Sequence, residues 1–226
     1  MERQREIIMK RRIIELWKKS LVFRTIDRMI SENFRKRLQN SDFTILCSNC
    51  IGGVIYHRLG KEFLSPTINM FFTQPDFVSF CLYLDYYLQQ KLHFIQSEAN
   101  YPIAQLLGDG DIPTITLNFN HSIDQLEAEE TWEKRKKRIK KDNIYVILYK
   151  LDGLSVEKAL ELEKFPCKNK VLLTEEPIPE ISWSYYIRPN TRQQYASSYL
   201  GKDLFGIRWF EKKWDFVAFL NENPPM

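Results

Sequence analysis

Short runs of apolar and β-branched residues recur along this chain, and a segment of helical length stands between most of them. That alternation constrains the fold most, because parallel strands need a crossover of a dozen residues or more, usually helical, whereas a hairpin needs only a turn. Phe43 to Cys47 reads as a buried strand, closed by the turn-forming S-N-C-I-G-G and followed by a helix from near Ile51 to Gly60. Ile68 to Phe72 is a second strand candidate, and Pro75 sits where the first turn of a helix over Asp76 to Gln89 belongs. Leu92 to Ile95 and Ile103 to Leu107 are further candidates. Ile115, Leu117 and Phe119 alternate with polar residues, the period of a half-buried strand. Residues 124–141 read as a charged helix, acidic at its start and basic at its end, an order that complements the helix dipole. Ile144 to Leu148 and Val171 to Thr174 flank a helix from Ser155 to Lys164 with Ser155 as N-cap, and a short helix over Trp214 to Leu220 lies near the end. The expected fold is α/β, a three-layer α/β/α domain with a largely parallel or mixed central sheet.

Charge marks off the first forty residues. They hold twelve Lys/Arg against five Asp/Glu, leaving twenty-one basic and twenty-four acidic residues for the rest of a chain whose formal net charge is +4. Their apolar residues, Ile7, Ile14, Trp17, Leu21, Ile26, Met29, Ile30, Phe34 and Leu38, recur at roughly helical spacing. Residues 1–40 are therefore expected to be a basic amphipathic helical extension packed on the domain, its solvated side available to a membrane surface or an acidic partner. With 226 residues, 44% of them hydrophobic, residues 41–226 are expected to form a single α/β domain. No nucleic-acid-binding motif accompanies the basic segment, so no nucleic acid is expected. The first residues lack the apolar core of a secretory leader. The longest apolar stretch, Phe77 to Leu88, carries Asp85 and is far shorter than the roughly 20 residues that cross a bilayer. Four cysteines then read as reduced thiols, and the expected location is cytoplasmic.

Two loops converge as candidate sites. Asn49, Cys50, Gly52 and Gly53 lie between a strand and a helix, where backbone N–H groups and the dipole can hold an anion. Cys50 at that positive end could be a nucleophile with a lowered pKa; the bland alternative is a tight turn with a small buried filler. Cys47 and Cys50 also form a C-x-x-C pair, although Cys47 falls inside the strand. His121 ends the best strand, and if that strand is parallel to the first, both loops lie on one edge of the sheet, where open α/β sheets bind ligands. His121 is then the candidate general base. On the charged helix, Trp132, Arg135, Arg138 and Ile139 share one face, so two guanidiniums beside an indole either bind a phosphate, carboxylate or sugar, or pair with acidic neighbours. Asp109-Gly110-Asp111 matches a metal–diphosphate pattern but also suits a simple turn. His57 and His93 have no partner at ligand spacing, and no metal site is expected.

The stretch SNCIGGVIYHRLG, then SPTINMFF, NFNH, the spaced Trp132, Arg135, Arg138 and Ile139, and WDFVAFLN resemble an uncharacterised bacterial family of unknown function, nineteen-nineteen in the DUF series. Its members are often labelled exopolysaccharide-biosynthesis proteins. Ile51 stands where that family's pattern has Trp, and Cys47 and Asp109 fall outside the pattern. The resemblance implies an α/β fold and a surface-glycan context, with no established reaction or cofactor. Two expectations follow. One is an enzyme of surface or exopolysaccharide biosynthesis, a glycosyl or other group transferase acting on a sugar nucleotide or other anionic small molecule. The other is a non-catalytic glycan- or partner-binding module.

Overall fold

The computed structural model describes residues 20–188, 199–201, 203 and 205–222. Asn40–Arg188 form one compact unit, and the residues before and after them form a second. The C-terminal segment, expected to complete the α/β domain, thus groups with the N-terminal segment.

In the smaller unit, helix α1 (Leu21–Arg37) starts where Ser20 accepts from the Phe23 amide at 3.1 Å and ends with Arg35, Lys36 and Arg37 in its last turn, where cations suit the dipole. Two short helices from the end of the chain, Trp209–Lys213 and Phe216–Leu220, belong to the same unit. Phe34 of α1 packs on Phe216 with ring centroids 4.7 Å apart, and Arg37 pairs with Asp215. The expected apolar stripe is only partly covered, since Leu21 is 80% and Met29 63% exposed. Ile7, Ile14 and Trp17 lie outside the described residues.

The larger unit has the expected α/β character. β1 (Thr44–Cys47), α2 (Ile51–Leu59), α3 (Gln74–Leu82) and α4 (Leu84–Tyr87) are followed by β2 (His93–Ile95), β3 (Ile103–Leu106) and β4 (Ile115–Asn118). Then come α5 (Gln125–Lys136), β5 (Ile144–Tyr149), α6 (Val156–Leu160) running into a 3₁₀ turn, β6 (Asn169–Thr174) and β7 (Ser184–Tyr186). The main sheet is entirely parallel with strand order β1-β5-β6-β7. Every residue of β1 and β5 is buried, as expected of strands covered on both faces, even though β1 lies at the edge of the sheet. Gly52 of α2 rests on Ile45 and Cys47, while Leu46, Val146, Leu148 and Leu172 join Phe77, Phe80 and Leu162 in the main core. Because alternate strand residues face opposite ways, this places helices on both faces, a three-layer arrangement. Among the described residues no helix is long and apolar enough to cross a membrane.

The structure differs from the sequence expectation in the place of the alternating strand. β4 belongs to a separate antiparallel sheet, β2-β3-β4, not to the parallel one. The interval between β3 and β4 holds only the G-D-G-D turn, too short for a crossover helix. Ile68 to Phe72 makes one bridge, Phe71 to Asn118, rather than a strand, because Asn69 has a left-handed φ of 64° and interrupts the extended backbone. The long helix expected over Asp76 to Gln89 breaks at Tyr83, whose φ of −113° and ψ of 34° are not helical.

Candidate functional site

Two adjacent residues connect the sheets. The Phe72 amide donates to the Ser48 carbonyl at the carboxyl end of β1 (3.3 Å), while Phe71 exchanges two backbone bonds with Asn118 at the end of β4 (3.0 and 3.1 Å). The chain beyond each strand is thereby brought together, and Cys50 Sγ lies 3.5 Å from His121 Nε2. The two loops do meet, but across two sheets instead of along one parallel edge.

Around the thiol, the loop is built for shape. Asn49 Oδ1 accepts from the Ile51 amide (3.0 Å) and from Cys47 Sγ (3.3 Å), so its side chain is occupied in the turn that starts α2. A Cβ on Gly52 would come within 3.0 Å of Cys47 Cβ and 3.3 Å of Ile45 Cγ2, and one on Gly53 within 3.2 Å of Ile68 Cγ2. Both glycines therefore serve close packing of α2, and neither opens the backbone to a ligand. Gly52→Val is expected to destabilise the protein by about 1–3 kcal/mol, the usual cost of overpacking. A urea midpoint unchanged from the parent would count against this packing role.

Cys50 occupies the N-cap position of α2 and is half-buried; burial pushes its thiol above the ordinary range, opposite to the lowering expected at a helix N-terminus. The group beside it that can take a proton is the His121 imidazole. Cys47 is fully buried and pushed up to about 12, which leaves it inert and removes the C-x-x-C redox reading.

His121 lines a recess whose wall also contains Asn69, Glu127, Trp132 and Arg135. Trp132 is 1% exposed with its ring 6.1 Å from Phe80, so it is a core residue whose stacking surface is already covered. Arg135 is half-buried, donates to the Ile68 carbonyl and lies 5.2 Å over the Phe63 ring. Burial lowers its pKa, with Arg138 adding to the effect and Glu127 opposing it. Among the described residues it forms no ion pair. α5 ends at Lys136, so Arg138 lies beyond the helix instead of on its face and pairs with Glu62 at 2.8 Å. Arg138 is thus satisfied internally and does not line the recess.

The remaining motifs lie elsewhere. The Asp109–Asp111 turn is at the opposite end of β4 from His121. His57 is exposed with its ring edge-on to Phe63, and His93 is exposed at the start of β2. In the sequence, Glu127 stands in the acidic run that opens the charged helix. Asp124-x-x-Glu127 is a capping pair in which the Glu127 amide donates to Asp124 (2.9 Å) and the Glu127 carboxylate accepts from the Ile123 amide (2.6 Å), and this orients the start of α5 beside His121.

A family described as a domain of unknown function (DUF1919) matches residues 22–221. An uncharacterized protein of Haemophilus influenzae is 30% identical over 193 residues, covering 85% of this chain and 90% of that protein.

Proposed function

We propose that this chain, which belongs to the DUF1919 family, is a group-transfer enzyme with Cys50 as nucleophile and His121 as general base. The observation that carries this reading is the 3.5 Å contact between Cys50 Sγ and His121 Nε2, with Cys50 half-buried and His121 exposed. Nucleophile and base within hydrogen-bond reach are the minimal apparatus for a covalent intermediate. A module that only held a ligand would have no use for that contact.

In the transfer step, the Cys50 proton passes to His121 Nε2 as sulfur attacks the electrophilic carbon of an activated donor. The bond to the leaving group breaks, and that group takes the electron pair and the proton from His121. An acceptor hydroxyl then displaces the sulfur, giving its proton to His121, which returns it to the thiolate. The sequence resemblance suggests donors and acceptors from surface or exopolysaccharide biosynthesis, with an anionic donor such as a sugar nucleotide. The proposed location is the cytoplasm, where the four thiols stay reduced and basic residues 1–40 can meet the anionic inner face of a membrane.

The test uses p-nitrophenyl acetate, an activated acyl donor. The parent should acquire one acetyl group that peptide mapping places on Cys50, and His121→Ala should acquire it far more slowly. Acetylation spread evenly over the exposed nucleophiles, or unaffected by His121→Ala, would refute the pair.

A further inference from the structure

We infer that the recess beside His121 is a carboxylate-binding subsite, so that the molecule handled by the Cys50–His121 pair carries a carboxylate. The inference rests on the proposed reading of that pair and adds the chemical class of what it binds.

The first observation is the state of Arg135. A guanidinium has five N–H donors, and within the protein this one donates from Nη1 to the Ile68 carbonyl and otherwise lies over Phe63. It is half-buried and without an ion pair among the described residues, whereas its neighbour Arg138 is paired with Glu62. A partly desolvated guanidinium with unused donors on a recess wall suits a planar two-oxygen acceptor. The second observation is independent. Trp132 forms part of the same wall, and its buried indole N–H has no acceptor among the described residues. Buried donors are nearly always paired, so an orphaned indole N–H on a residue of this wall is a group that a ligand oxygen would satisfy.

Size and charge choose the class. The recess has a cavity volume of about 40 Å³, which admits a small group such as a carboxylate and leaves the rest of a ligand outside. Glu127, whose carboxylate is held by the Ile123 amide, also lines it. Because Glu127 already opposes the Arg135 charge, the recess disfavours the dianion of a phosphate monoester more strongly than a monoanion.

The experiment follows tryptophan indole N–H signals by NMR in the full chain, with Trp132→Phe assigning the Trp132 signal. D-glucuronate is the probe, with glucose and inorganic phosphate as controls. Glucuronate should move the Trp132 signal saturably, glucose should not, phosphate should act more weakly, and Arg135→Gln should weaken glucuronate binding about tenfold or more. No response to glucuronate, an equal response to glucose, or an unchanged affinity in Arg135→Gln would overturn the subsite. A stronger response to phosphate would overturn the carboxylate assignment. If Arg135→Gln fails to fold, the parent's glucuronate-against-glucose comparison decides. Acetylation of Cys50 without any glucuronate response would sink the subsite and leave the transferase reading standing; the converse would do the reverse.

Discussion

Replacing His121 by alanine is expected to slow iodoacetamide alkylation of Cys50 at neutral pH by roughly 10²-fold, the low end of what a positioned base contributes. The reason is electrostatic. Burial disfavours the Cys50 thiolate and pushes the thiol upward, so on its own this group would react only in alkaline solution. With His121 Nε2 at 3.5 Å, the proton has a destination and the sulfur reacts without a free thiolate. In His121→Ala, alkylation should rise only above the ordinary thiol range, whereas in the parent it should already proceed at neutral pH. Identical profiles would mean that the contact has no chemical consequence. Cys47 should remain unmodified in both proteins, because it is fully buried and held as the thiol.

Trp132→Ala is expected to destabilise the protein by about 3–5 kcal/mol, the range for truncating a buried large aromatic. Trp132 is 1% exposed, belongs to the main core and packs near Phe80. Urea unfolding should show a midpoint lowered by more than about 1 M, given a slope of about 1–3 kcal/mol per M. Trp132→Phe should cost much less, since it keeps an aromatic ring in the core and removes the indole N–H that has no acceptor among the described residues. A small loss in Trp132→Ala would instead make the residue an exposed ligand platform, as the helix-face reading allowed.

How much of this was legible in the sequence depends on how local the cause is. Strand β1, the αL cap at Gly60, the Ser155 and Asp124 caps and the parallel alternation of β1, β5 and β6 follow from periodicity and short-range hydrogen bonding, and those are written in adjacent residues. Cys50, His121 and Arg135 were likewise marked by their position after strands or on a helix. The short interval after β3 excludes a parallel crossover and so marks β4 for an antiparallel partner, but the sequence could not say which sheet that pairing would build. Nor could it say that Gly53 packs against Ile68, that Arg138 finds Glu62, or that Trp132 faces the core. Each of those outcomes depends on which residue distant along the chain arrives within a few ångströms. For the same reason the meeting of Cys50 and His121 belongs to tertiary structure alone: the chain was marked at both positions, and it is the backbone bonds of Phe71 to Asn118 and Phe72 to Ser48 that close the distance between them.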